Sequence, residues 1–163
     1  MRRAAVITSS DSGFRGERED VSGQVIREIL EREGYQVVYQ KILPDERALL
    51  AAEMARIADE DMADLILTTG GTGFSSRDFT PEATQDVCQR MVPGIPEAMR
   101  ACSMEVTKRG MLSRQAAGIR KRTLIVNLPG SPKAVRECLE YVIEALGHGI
   151  DILRGDAGNC GQN

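Results

Sequence analysis

Leu65-Ile-Leu-Thr-Thr-Gly70-Gly-Thr-Gly-Phe-Ser75-Ser-Arg-Asp-Phe-Thr80-Pro-Glu-Ala-Thr84 is the stretch from which the rest of the chain is read. The apolar run Leu65–Leu67 has the length and character of a strand buried on both faces, and it gives way at once to threonines, glycines and serines. Thr80, Pro81 and Glu82 then read as an N-cap, a proline at the first helical position and a first-turn acid, so a helix starts there. The unit is strand, glycine loop, helix. Glycines permit positive φ and let a ligand approach main-chain N–H groups, which makes such a loop a cradle for an anion, phosphate above all. The plain alternative is a tight crossover turn, which seldom needs so many glycines and hydroxyls together.

Outward from this unit the chain repeats the pattern. Ala4–Thr8 is an apolar run opening into Ser9-Ser10-Asp11-Ser12-Gly13, a first strand delivering a polar loop. Val21, Val25, Ile26, Ile29 and Leu30 recur at helical spacing, with Asp20 or Ser22 as N-cap and Gly34 as C-cap. Tyr35–Leu43 reads as a second strand ending at Pro44-Asp45, and Asp45 is expected to cap a helix with the apolar face Leu49, Leu50, Met54, Ile57 and Ala58. A proline-punctuated break follows at Met91–Pro96, and Glu97–Lys108 resumes a helical pattern. Thr123–Leu128 is another buried strand that spills into Pro129-Gly130-Ser131-Pro132. The helix after it carries the stripe Val135, Cys138, Leu139, Val142, Ile143 and Leu146, ending at Gly147.

Strands alternating with helices predict a doubly wound, mostly parallel sheet with helices on both faces. Ligands bind beyond the carboxyl ends of the strands in such sheets. Ser10–Gly13, Pro44-Asp45, Thr69–Asp78 and Pro129–Ser131 all fall at that edge, and this convergence is stronger evidence for a site than any one motif.

The 163 residues are expected to form one domain over 1–155, long enough to bury roughly 70% of the unfolded surface, with 156–163 a polar tail expected to be disordered. A net charge of −3 and 4% aromatic residues supply neither the electrostatic footprint nor the stacking platforms of a nucleic-acid binder. Ala4–Ile7 is too short for a signal segment or a membrane span, so no membrane partner and a cytoplasmic location are expected. Cys88, Cys102, Cys138 and Cys160 show no metal-ligand spacing; three read as helix-face fillers and Cys160 as an exposed thiol, consistent with a reducing compartment. His148, between two glycines, is expected to face solvent without a catalytic role.

Two common glycine motifs are excluded. G-x-x-x-x-G-K-[ST] does not occur, and the partial dinucleotide fingerprint Gly71-Thr-Gly-Phe-Ser-Ser76 follows the third strand and lacks its last glycine. Asp78, just past the loop, and Asp45, at the end of a neighbouring strand, could both face bound phosphates. Carboxylates and a polyphosphate need a cation between them, and Mg²⁺ suits because it binds through one or two carboxylates plus phosphate oxygens. The plainer readings are a helix cap for Asp45 and a loop-bracing partner of Arg77 for Asp78.

Thr68-Thr-Gly-Gly-Thr-Gly73, Arg77-Asp78, Thr80-Pro81-Glu82-Ala83, Asp20-x-Ser22-Gly23 and Leu128-Pro-Gly-Ser-Pro132 together resemble the MoaB/Mog family of molybdenum cofactor biosynthesis proteins, and the likeness spans nearly the whole chain. The resemblance implies an α/β protein, a three-layer α/β/α sandwich that assembles as a homo-oligomer, trimer or hexamer. It implies an enzyme that adenylylates molybdopterin from Mg-ATP and releases pyrophosphate, with other proteins of the cofactor pathway as partners. Asp45, within Pro44-Asp45-Glu46, and Asp78 carry over as the catalytic, Mg²⁺-binding aspartates. Substrate and nucleotide binding is expected at Ser10, Asp11, Thr69, Gly70, Gly71, Thr72, Gly73, Pro129, Gly130 and Ser131. Leu112-Ser113-Arg114, Gly118 and Asn127–Ser131 resemble the adenylyltransferase branch, which adds Ser113 and Arg114 to the binding residues. Phe74-Ser75-Ser76 is a variable position in the family and receives no role, and no fused domain is expected. No side-chain nucleophile is required, because the terminal phosphate of molybdopterin would itself attack the α-phosphorus. The alternative is a catalytically silent pterin- or nucleotide-binding member of the same fold. A ligand-free scaffold would tolerate Gly71→Val, whereas a phosphate cradle would keep its fold and lose its ligand at Gly71→Val or Gly73→Val.

Overall fold

The computed structural model describes residues 1–156; the tail beyond, Cys160 included, lies outside the described residues. The elements in chain order are β1 (Arg3–Ser9), α1 (Asp11–Phe14), α2 (Val21–Arg32), β2 (Gln36–Leu43), α3 (Arg47–Asp59), β3 (Leu65–Thr69), α4 (Thr80–Val87), β4 (Arg90–Met91), α5 (Gly94–Val106), a 3-10 turn (Lys108–Leu112), β5 (Ala117–Arg120), β6 (Thr123–Leu128) and α6 (Pro132–Arg154). They build one sheet in the order β2-β1-β3-β6-β5-β4. The β2, β1, β3 and β6 strands run parallel, and β5 runs antiparallel to both β6 and β4.

The period-2 alternation of the strands sorts side chains into two cores. Ala4, Val6, Leu65, Leu67, Leu124, Val126 and Leu128 face α2, α5 and α6 on one side, where Ile26, Ile29, Met99, Val135 and Leu139 meet them. Ala5, Ile7, Ile66 and Ile125 face α3 and α4 on the other, against Leu50, Met54, Ile57, Ala83 and Val87. This is the expected α/β/α sandwich. β3 and β6 are buried over their whole lengths, because each lies between two other strands and under helices on both faces.

Four expectations are corrected. Asp45 does not cap α3: Glu46 takes that position without a side-chain hydrogen bond, which leaves the Asp45 carboxylate free for other partners. Thr80 is the first residue of α4 rather than its cap, which is Phe79. Leu49 is exposed rather than on the α3 core face. The last helix does not end at Gly147 but runs to Arg154, because Ile150 continues the buried stripe and Gly147 lets the Arg2 guanidinium lie against the helix, 3.0 Å from where a Cβ would stand. His148 is therefore a mid-helix residue, exposed as expected. The sequence reading also missed the short strands β4 and β5. Among the described residues no helix is long and apolar enough to cross a membrane.

Candidate functional site

The parallel register sets the carboxyl ends of four strands level with one another: Ser9 pairs with Leu43, Thr8 with Thr69, and Thr69 with Leu128. The loops expected at one rim are therefore at one rim. Between them lies a cleft of about 340 Å³, lined by the end of β1, the loop into α2, Thr69 and Gly70, and the turn Gly130–Pro132. The first turns of α2 and α6 open onto it, so two helix N-termini bring partial positive charge and unpaired N–H groups to the cleft.

The glycine loop is shaped from behind. Gly70 and Gly71 hold φ of 89° and 70°, the left-handed region that favours glycine. A Cβ on Gly70 would stand 2.4 Å from the Ser9 carbonyl oxygen, and one on Gly71 would stand 2.2 Å from Thr80 Oγ1. Both would collide with the protein itself. The expectation that Gly71→Val spares the fold and blocks only a ligand is thereby corrected, since the added side chain points at α4. Gly130 is different: its Cβ would meet only Gly70 Cα, at 3.7 Å.

Hydroxyls tie the rim together. Thr69 Oγ1 donates to the Pro129 carbonyl at 2.6 Å, and Ser22 Oγ to the Gly130 carbonyl at 2.6 Å, so β3 and α2 both hold the second loop. Ser10 Oγ accepts from Gly13 N as the cap of α1, and Ser131 Oγ accepts from Ala134 N as the cap of α6. Thr80 Oγ1 is buried with no hydrogen-bond partner among the described residues.

The aspartates are held in distinct ways. Asp45 Oδ1 accepts from Ser9 Oγ at 2.5 Å and Oδ2 from Asp11 N at 3.0 Å, while Asp45 N donates to Asp11 Oδ1 at 2.9 Å. Arg77 Nε donates to Asp11 Oδ2 at 2.7 Å, and this bond, with the Asp45 N–H, holds the Asp11 carboxyl below the usual carboxylate range. Asp11 is thus the strut between the Asp45 loop and the glycine loop. Asp78 Oδ2 accepts from Ser75 N at 2.9 Å, and Arg77 pairs with Asp11 rather than with Asp78. Among the described residues, neither Asp45 nor Asp78 enters an ion pair. Gly73 approaches Asp78, whose Oδ2 would lie 3.0 Å from an added Cβ.

Arg114 commits most of its donors to the protein itself. Its guanidinium donates to the Gly73 and Asp78 carbonyls, at 2.8 and 2.6 Å, and pairs with Glu82 at 2.7 Å, while its N donates to the Thr72 carbonyl. It braces the glycine loop against α4. Ser113 is not brought to the cleft: its hydroxyl donates to Gln115 and it lines a separate hollow with Met91, Pro96 and Arg100. Ser9, Thr8, Arg18, Glu19, Asp20 and Ser22 line the cleft and escaped the sequence reading as site residues. The Asp20-x-Ser22-Gly23 motif was the signal available for two of them.

A doubly wound α/β fold whose one rim gathers a glycine loop, two helix N-termini and two aspartates outside any ion pair among the described residues belongs to the class of folds suited to a phosphorylated ligand beyond the parallel strands. The family model described as "Probable molybdopterin binding domain" matches residues 5–148. The molybdopterin adenylyltransferase of Helicobacter pylori (strain ATCC 700392 / 26695) is 45% identical over 153 residues, covering 93% of this chain and 87% of that protein. Among solved structures, the molybdopterin biosynthesis enzyme MoaB of Thermus thermophilus is 46% identical, covers 95% of this chain and 98% of its own, and superposes with a TM-score of 0.90. The molybdopterin biosynthesis Mog protein of Mycobacterium ulcerans is 35% identical, with coverages of 94% and 99% and a TM-score of 0.87. The chain belongs to the MoaB/Mog family of molybdenum cofactor biosynthesis proteins.

Proposed function

We propose that this chain is a molybdopterin adenylyltransferase that uses Mg-ATP. The relatives' names support the reaction, and the observation that carries it here is the cleft at the strand ends, where Thr69, Gly70, the turn Gly130–Pro132 and the first turns of α2 and α6 meet. Asp45 and Asp78 do not line that cleft but lie on loops of the same rim, in no ion pair among the described residues. The functional unit is residues 1–155, and the cytoplasm is its location.

The donor set fits Mg²⁺. Both candidate ligands are carboxylates, each oxygen of Asp45 accepts one hydrogen bond and keeps a second lone pair, and Asp78 Oδ2 accepts one. Two carboxylates suit an ion whose remaining ligands are phosphate oxygens and water. Bound there, Mg²⁺ supplies neutralisation of triphosphate charge.

The protein's own part is positioning. The N–H groups of the glycine loop and the first turns of α2 and α6 hold phosphate oxygens, and Arg114 keeps that loop in shape. A terminal phosphate oxygen of molybdopterin forms a bond to the α-phosphorus of ATP, the bond to the bridging oxygen breaks, and pyrophosphate leaves with that electron pair. The chain acts as a homo-oligomer, trimer or hexamer. The exposed apolar residues Met91, Met104, Val106, Met111 and Leu112 around α5 supply the contact surface.

The test is incubation with molybdopterin, ATP and Mg²⁺, followed by detection of adenylylated pterin and pyrophosphate. Asp45→Asn or Asp78→Asn keeps the shape and removes an anionic ligand, so turnover falls by about 10²-fold or more while nucleotide binding changes much less. Full activity in both variants refutes the assignment. Ligand binding without product in the unmodified protein supports the silent-module reading instead.

A further inference from the structure

The strand β1 changes character at its end. Up to Ile7 its side chains alternate between the two apolar cores, Ala4 and Val6 on one side, Ala5 and Ile7 on the other. Thr8 and Ser9 continue the alternation with hydroxyls, and each donates to an aspartate. Thr8 Oγ1 meets Asp20 Oδ2 at 2.7 Å, and Ser9 Oγ meets Asp45 Oδ1 at 2.5 Å.

The first contact has an evident folding purpose, since the other oxygen of Asp20 caps α2 through Gly23 N at 2.9 Å. The second has none of that kind: among the described residues Asp45 caps no helix and forms no ion pair. Ser9 is only 5% exposed, so its hydroxyl is a buried donor committed to a half-buried carboxylate. Together with Asp11 N it engages both oxygens of that carboxylate, which fixes the side-chain torsion from two directions. The same residue also underlies the glycine loop, its carbonyl against Gly70 and its hydroxyl 3.3 Å from the Cβ position of Gly71.

We propose that Ser9 is a positioning residue for the nucleotide-bound divalent cation: its hydroxyl holds Asp45 in the orientation from which the carboxylate's remaining lone pairs serve as metal ligands. The inference rests on Asp45 being a cation ligand, the reading given above. Hydrogen-bond partners of metal ligands change affinity by about 10–100-fold when removed, because a freely rotating ligand must be ordered on binding. Position 9 then belongs to the metal site although it never touches the metal.

The test is a Mn²⁺ titration in the presence of a non-hydrolysable ATP analogue, with free Mn²⁺ read by electron paramagnetic resonance, so that it does not depend on turnover. Ser9→Ala should weaken Mn²⁺ binding about 10-fold. Ser9→Cys, close in size and a far weaker donor, should lose as much, which separates the hydrogen bond from packing. Asp45→Asn should weaken it further, and Ser9→Ala combined with Asp45→Asn should be no weaker than Asp45→Asn alone, since Ser9 acts only through Asp45. Binding unchanged in Ser9→Ala, retained in Ser9→Cys, or additive in the double variant overturns the proposal. Unchanged binding in Asp45→Asn overturns the metal-ligand reading itself, so the two failures are distinguishable.

Discussion

Two glycines on facing loops should respond in opposite ways to the same added methyl group. At Gly70 the backbone is left-handed, φ 89°, and an alanine Cβ would be driven to 2.4 Å from the Ser9 carbonyl oxygen. The conformation costs about 1–2 kcal/mol for a residue with a Cβ. Relieving the contact requires the exit of β1 or the loop itself to move, which adds about 1–3 kcal/mol because the atom struck is main chain. The sum, about 2–5 kcal/mol, lowers the melting temperature by about 4–20 °C in a chain of this size. At Gly130 φ is not positive and the nearest atom to a new Cβ is Gly70 Cα at 3.7 Å, an ordinary van der Waals contact. Gly130→Ala should therefore leave stability within about 0.5 kcal/mol. Its methyl group stands at the lining of the cleft, so ligand affinity should fall where stability does not. Urea unfolding and calorimetric titration with ATP, run on both variants, separate the effects. Wild-type stability in Gly70→Ala would refute the steric account of the loop. Wild-type ATP and molybdopterin affinity in both Gly130→Ala and the bulkier Gly130→Val would refute the placement of ligand in this cleft.

At the opposite pole of the sheet, Asp64 pairs with Arg3 at 2.8 Å and Arg154 at 2.9 Å, with side-chain exposures of 9% for Asp64 and 8% for Arg154. Asp64→Ala leaves Arg3 and Arg154 with Asp61 and main-chain carbonyls as partners and should cost about 1–3 kcal/mol in urea unfolding at pH 7. Burial pushes the Asp64 carboxyl up, but the hydrogen bonds from Arg3 outweigh it, and the net shift is downward. A carboxyl lowered on folding stabilises above its unfolded value of about 3.9, and that stabilisation fades as pH falls through the folded value. Acid unfolding followed by circular dichroism should therefore show a shallower loss of stability below pH 4 in Asp64→Asn than in the wild type; parallel curves would contradict it. Light scattering at micromolar concentration should give a trimer or hexamer, and Met111→Asp on the apolar surface beside α5 should shift it toward monomer. A monomeric wild type would refute that interface.

The parts of this molecule legible in its sequence are those where one physical rule acts alone. Leu65–Leu67 and Thr123–Leu128 are continuous apolar runs because strands covered on both faces have no solvent side, and parallel crossovers oblige their loops to share a rim. β5 escaped because it is only Ala117–Arg120, and it turns into β6 at Lys121, which adopts φ 51° without a glycine to announce it. The end of α6 escaped because glycine usually punctuates helices, whereas Gly147 lies within one to admit Arg2. The candidate site was legible as a set of loops and not as a set of contacts. Arg114 reads as a phosphate ligand in sequence, and only folding reveals that most of its donors brace Gly73, Asp78 and Glu82. Ser9 carries no pattern at all, since its importance lies in a partner on the neighbouring strand's exit.

Asp45 shows why such misreadings gather at the rim. An aspartate just before a helix is ordinarily a cap, and capping would have satisfied its oxygens with main-chain N–H groups of α3. Here the cap position passes to Glu46 with no side-chain bond, so the start of α3 forgoes a contribution of about 1 kcal/mol. The carboxylate is instead turned to Ser9 and Asp11, where it forms no ion pair among the described residues, Arg77 being paired with Asp11. Asp61, Asp64 and Asp151 at the other pole are each paired with arginine. At the rim Asp11 and Glu82 are likewise paired, with Arg77 and Arg114, while Asp45 and Asp78 enter no ion pair among the described residues. That arrangement forgoes the pairing the other pole enjoys, and under the proposed function it would offer a cation arriving with a polyphosphate carboxylates that need not first be freed from an arginine.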